Sequence, residues 1–426
     1  MRVKKTSLVL VVLFLVFSVG IGSSVYAMEP SSSKNVDEYA ELGKEFLYDY
    51  YHSVDMKQDM NISKYVKDDN VLQYVDLKHE ILTNRKVRSN IDVTSFSLDV
   101  SIHDYQVLDN NVDITYNVLV KHQYKGLDQL SESMRQVKLG FTNENETIGI
   151  TDYFEYTDFD IMVSLKQQNA DPSQSLKVNT SDIRTYQLDY SKNPNEFLKT
   201  TLSNENKFFD KLDSEISLYK LNGVSHNAAT TNSVSLASVS STARSNIVTY
   251  AIANSSKTEP SSGNSSYASY YDFSAIANDC TNFVSHSLLA GGAKENRTSW
   301  YYDSLSARTP SWAGVNEFHD FITNNTATTG PKAESKPLAY ACPPQYVNWE
   351  NGDIIQIKYS VYGYPGFGHS TIVTGSYAPN YNTQYPLITS RTGDYSYNTN
   401  EVLTNVYPID GADVLAYRLI HLTAIQ

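Results

Sequence analysis

Between Val36 and Val54 apolar side chains recur at helical spacing, at Val36, Tyr39, Phe46, Leu47, Tyr50, Tyr51 and Val54. A second helical pattern covers about Ile62 to Leu82. The period then drops to two. Phe96, Leu98, Val100 and Ile102 alternate with polar residues, and Val112, Ile114, Tyr116, Val118 and Val120 do the same. Asp109-Asn110-Asn111 between them reads as a turn, so the two runs predict a β-hairpin. Val137, Leu139 and Phe141, then Asn143-Glu144-Asn145, then Ile148 and Ile150 predict another strand pair. Helices followed by an antiparallel meander place residues 35–220 in the α+β class, and the element order allows a curved-sheet, cone-like form.

From about Leu221 to Ser245 the chain turns to Ser, Thr, Asn and Ala, a composition that cannot bury a core and reads as a linker over 221–245. Residues 246–426 then form a second expected domain. The length of 426 residues agrees with roughly two or three domains. No repeat relates the halves.

The net charge of −13 repels phosphate backbones and anionic lipid, so nucleic acid and membrane surfaces are not expected partners. Arg2, Lys4 and Lys5, the apolar run Leu8–Phe17 and the small-residue site Val25-Tyr26-Ala27 read as a secretory signal peptide over residues 1–27. An uncleaved anchor is the other reading, although the run is short of the roughly 20 residues a bilayer needs. A soluble protein outside the cytoplasm is expected.

Two cysteines, Cys280 and Cys342, remain in that oxidising setting, and a disulfide between them is one reading. Cys280 has a different context. Asn278-Asp279-Cys280-Thr281-Asn282-Phe283-Val284-Ser285 opens a helix that ends before Gly291-Gly292. Asn278 or Asp279 is the expected cap, and Gly291 the left-handed residue that stops the helix. Cys280 then falls in the first turn, where free N–H groups and the helix dipole favour a thiolate and its backbone N–H is placed for an oxyanion. Gly368-His369-Ser370-Thr371-Ile372-Val373 reads as a strand led by His369, the candidate base. A cysteine at a helix start packed on a sheet that carries a histidine is the papain-like arrangement for nucleophilic catalysis.

Several other residues each carry two readings. Asp279 polarises the site or caps the helix. Tyr267 completes an oxyanion hole or simply packs. Trp300 and Trp312 line a substrate groove or fill the core. His286, six residues after Cys280, reads as a surface residue, and His52, His79, His103 and His122 as surface or hydrogen-bonded ones. No motif resembles a zinc site, phosphate loop or dinucleotide fingerprint, and neither metal nor cofactor is expected.

From about Ser245 onward the chain resembles the amidase domain family of Gram-positive exported proteins, itself similar to the CHAP amidohydrolases. The motifs that carry the resemblance are Asp279-Cys280-Thr281-Asn282-Phe283-Val284-Ser285 with Ala290-Gly291-Gly292, Asn264-Ser265-Ser266-Tyr267, Pro310-Ser311-Trp312 with Val315 and Phe318, Gly352-Asp353, and His369-Ser370-Thr371-Ile372-Val373. The family's His-Thr-x-Asp departs here to Arg391-Thr392-Gly393-Asp394. The resemblance implies a papain-like amide hydrolase with Cys280 as nucleophile and His369 as base. Asp394 is the first choice to orient His369, with Ser390 or Thr392 behind it, and Thr392 is also a substrate contact. Peptidoglycan or a related cell-wall peptide is the implied substrate. The alternatives are an inactive surface-binding protein that keeps the fold, which the Arg391 departure favours, and a peptidase acting on protein.

Overall fold

The computed structural model describes residues 36–144, 146–157, 160, 164, 167, 188–192, 194–222, 239–256, 279–304, 306–339, 341–359, 366–393, 396–407 and 414–426. The expected signal peptide and most of the expected linker lie outside them. No helix among the described residues is long and apolar enough to cross a membrane.

The first helical pattern forms α1 (Val36–Met56), with Tyr39, Phe46, Leu47, Tyr50, Tyr51 and Val54 buried. The second starts later than its periodicity suggested. Ile62–Lys64 makes a 3-10 turn, and the Asp68 carboxylate accepts from the backbone N–H groups of Asn70 and Val71 to cap α2 (Asp69–Arg88). The hairpin follows as β1 (Val93–Leu108) and β2 (Asn111–Tyr124), turning at Asp109 with φ 50°. The alternating apolar residues of β2 are fully buried, whereas those of β1 stay half-exposed because β1 is the outer strand of its sheet. The other pair is β3 (Leu130–Glu144) and β4 (Thr147–Glu155), followed by α3 (Pro194–Asn222).

The remainder supplies α4 (Ser241–Asn254), α5 (Cys280–Ala290), a small hairpin of β5 (Tyr302–Ser304) and β6 (Ala307–Arg308), and the short helices α6 (Pro310–Ala313) and α7 (Val315–Asn324). Then come β7 (Lys332–Lys336), β8 (Ile354–Tyr359), β9 (His369–Asn380), β10 (Thr383–Gly393), β11 (Ser396–Val402), α8 (Leu403–Val406) and β12 (Val414–Ala424). Among the described residues ten strands join in one sheet, ordered β1-β2-β3-β11-β10-β9-β8-β12-β7, with β4 also on β3. All its ladders are antiparallel. The α+β class holds for the whole assembly.

The halves expected on either side of residues 221–245 share this sheet. β4 pairs with β3 from Val137 to Glu144, and β11 takes the same edge at Glu132–Met134. A buried cluster crosses the seam: Ile91, Tyr124, Phe208, Phe209 and Leu212 meet Tyr377, Tyr385, Leu387 and Val402. Buried charges cross it too. Asp55 receives Lys86 Nζ at 2.8 Å and His122 Nδ1 at 2.9 Å, and His122 Nε2 lies 3.4 Å from Glu401 on β11. Burial pulls the imidazole's pKa down, but the two carboxylates outweigh it and push His122 up to about 9.

Removing one partner from such a network strands the others without compensation. Asp55→Ala is therefore expected to destabilise the fold by about 3–5 kcal/mol in urea unfolding at neutral pH. Because the folded pKa of His122 is raised from its ordinary 6.5, its contribution is full below pH 6.5 and is lost as pH rises through about 9. The wild type should weaken across that window by roughly 3 kcal/mol, and Asp55→Ala by much less.

Candidate active site

Cys280 is the first residue of α5 and is 1% exposed. Neither expected end of this helix forms as read from the sequence. Asn278 lies outside the described residues, and the Asp279 carboxylate makes no cap to the helix backbone. Its Oδ1 instead accepts from Asn282 Nδ2 at 2.9 Å, and Oδ2 lies 3.3 Å from Arg391 Nε. The Asp279 backbone N–H donates to the Thr392 carbonyl, which docks the helix start on the end of β10. At the other end Gly291 is right-handed, with φ −69°, and Gly292 takes the left-handed turn at φ 98°. Gly291 is required for closeness: a Cβ there would stand 2.5 Å from Ile247 of α4.

Beneath the helix start lies a polar row. Cys280 Sγ is 3.8 Å from Thr281 Oγ1, which is 3.0 Å from Ser370 Oγ on β9. Ser370 also accepts from Gln356 Nε2 at 3.1 Å, and Gln356 lies opposite it on β8. Burial drives the Cys280 thiol upward. The Ser370 backbone and the Thr281 hydroxyl pull the other way, the Asp279 charge adds to burial, and the net result is a pKa of about 11.

His369 precedes Ser370, so strand alternation turns the two side chains to opposite faces. Ser370 faces α5, while His369 lies with Ile357 and meets Tyr407, whose hydroxyl is 3.2 Å from Nε2. No described hydrogen bond joins His369 to Cys280. Burial lowers the imidazole's pKa to about 4, so at neutral pH both groups rest uncharged.

Asp394 and Tyr267 lie outside the described residues. Thr392 meets the site through its backbone carbonyl, and Ser390 accepts from Asn398 Nδ2 at 3.4 Å on the histidine's face. Arg391 is buried and occupies the Cys280 face through Asp279. The two cysteines are free thiols, which removes the disulfide reading. Trp300 and Trp312 are core residues with ring centroids 5.0 Å apart, and Trp312 Nε1 donates to Asn282 at 2.6 Å. His286 is buried edge-on against Trp312, not at the surface, because the hydrophobic helix α5 is covered on all sides. The sequence reading passed over Tyr407 and Asn398. Tyr407 is one of 33 tyrosines, and no spacing marked it. Among the described residues no group of three or more His, Cys, Asp or Glu side chains could hold a metal ion.

A free thiol starts a helix that packs on an antiparallel sheet and is tied through Thr281 to the strand residue beside a buried histidine, which defines an α+β fold with a candidate nucleophile. Residues 241–411 match the protein family described as "Putative amidase domain". The match supports an amidase-family domain over that stretch, and with it the hydrolysis of amide bonds. No curated protein and no solved structure matches the chain.

Proposed function

We propose that this is an exported, cysteine-dependent hydrolase of peptidoglycan or related cell-wall peptide amides, with a papain-like site in residues 246–426. The Cys280 sulfur attacks the amide carbonyl, and its proton passes to His369. The imidazolium then gives that proton to the leaving amine as the C–N bond breaks. Water, deprotonated by the same imidazole, attacks the thioester, releasing the acid and the thiol. The Cys280 backbone N–H is the candidate oxyanion donor.

The observation that carries this reading is the Thr281–Ser370 hydrogen bond of 3.0 Å. It ties the start of the cysteine's helix to the strand residue next to His369, and because the imidazole turns to the other face of β9, engaging the pair requires a rearrangement at the start of that strand on substrate binding. Catalytic contacts are often long in empty sites.

A second reading, a surface-binding protein that has lost activity, draws on the separate partners of Sγ and the imidazole and on their uncharged resting state. Incubating the purified chain with purified cell walls separates the two. Release of new amino groups is the expected result. Binding to walls with no release from walls or peptides would instead establish the binding protein.

A further inference from the structure

Ser370 of β9, Gln356 of β8 and Arg418 of β12 stand directly opposite one another on the sheet face that carries α5. The polar row under Cys280 therefore does not end at Gln356. Gln356 Nε2 donates to Ser370 and, at 2.8 Å, to the Val315 carbonyl, while its Oε1 accepts from Arg418 Nε at 2.7 Å. Arg418 Nη2 lies 3.4 Å from Asn316 Oδ1 at the start of α7. Two hydrogen bonds fix Asn316 to the Phe367 backbone. The Phe367 ring covers the guanidinium, its centroid 4.0 Å from Cζ.

These partners are all neutral. Arg85, Arg135, Arg244 and Arg391 each reach a buried carboxylate, at Glu205, Glu155, Asp353 and Asp279. Among the described residues no carboxylate lies within ion-pair distance of Arg418, and its Nη1 has no hydrogen-bond partner. Arg418 is half-buried, and burial lowers its pKa to about 10, with the charge of Asp320 on α7 acting against that from a distance. It stays a cation at neutral pH. Lys358, two residues along β8 from Gln356, shares the face and likewise has no carboxylate at ion-pair distance among the described residues.

A planar guanidinium held at one edge and covered on one face presents its remaining N–H groups as a fork that matches a carboxylate. Neighbouring strands are about 4.8 Å apart, so Arg418 lies roughly 10 Å across the sheet from Ser370, the length of about three extended residues. We infer that Arg418 is the receptor for a carboxylate of the peptide substrate, seated within about three residues of the amide that Cys280 attacks. Gln356 and Asn316 hold the fork in place. The position of the cleaved amide rests on the reading of Cys280 as nucleophile, whereas the carboxylate site stands on its own contacts.

Soluble peptides released from purified cell walls, used as they are and after their carboxylates are converted to amides, test this on the full mature chain. The wild type should take the amidated peptides with KM raised about ten- to a hundredfold and kcat little changed. Arg418→Gln should show the same rise on the native peptides and no further rise on the amidated ones. Arg418→Lys, which keeps the charge without the fork, should fall between. An arginine that only supports the fold would weaken both peptide sets alike; that result, or a wild type indifferent to amidation, overturns the inference. Should Arg418→Gln fail to fold, the wild type and Arg418→Lys decide. Calorimetric binding of the same peptides separates this inference from the hydrolase reading. A preference for free carboxylates that Arg418→Gln loses, in a chain that releases no amines, would sink the hydrolase and leave the carboxylate site standing. Amine release from both sets at equal KM would do the reverse.

Discussion

Cys280→Ala is expected to abolish amine release from cell walls, by at least about a thousandfold, while Cys342→Ala retains it. The contrast follows from where the two thiols sit. Cys280 begins a helix beside the polar row of Thr281, Ser370 and Gln356. Cys342 is sealed among Trp349, Ile355, Ile357 and Val373, and burial alone pushes its thiol up to about 12. The pH dependence provides an independent check. With the Cys280 thiol at about 11, only about one molecule in 10⁴ carries the thiolate at pH 7 in the resting site. Alkylation of Cys280, followed by mass spectrometry, should therefore quicken about tenfold per pH unit toward pH 11. A rate already level between pH 7 and 9 would mean that the helix start outweighs burial and that the resting thiol is ionised.

Local patterns were legible in the sequence, and contacts between distant residues were not. The period of two in Val112, Ile114, Tyr116 and Val118 located β2 because one face of that strand is fully covered. Asp279-Cys280 located a helix start because glycines and a covered apolar face bound the segment. The Asp68 cap was missed because Ile62 continues the apolar period past it, and a cap competes with periodicity only through a hydrogen bond that the pattern does not contain. Gly291 and Gly292 exchanged roles because the approach of Ile247 to the first of them is a tertiary fact.

The site divides the same way. Cys280 and His369 each stood out within a local motif. The face on which His369 turns depends on register, since moving one residue along β9 exchanges Ser370 for His369. Ser390 was named as a third-residue candidate and shares the sheet face of His369, but the group that reaches the ring comes from Tyr407, after α8. Asn398 and Ser133, 265 positions apart, have no local signature that could pair them.

The same long-range pairing predicts that residues 239–426 produced alone will not fold. In the full chain β11 has β3 on its outer edge, and the seam covers Tyr377, Tyr385, Leu387 and Val402 with Phe208, Phe209 and Leu212 of α3. Cutting the chain between residues 222 and 239 exposes that apolar patch, at about 1.5–3 kcal/mol for each large side chain. It also leaves Glu401 without His122 and Tyr124, and gives β11 a free edge that invites pairing with other copies. A domain holds only about 5–15 kcal/mol of net stability, so these losses together exceed what one half can spare. The fragment should emerge aggregated, with no cooperative thermal transition, and co-expression with residues 36–222 should return it to the soluble fraction. A monomeric 239–426 fragment with a sharp transition would show instead that the seam joins two self-sufficient domains, because burial across it would then contribute less than each half already holds.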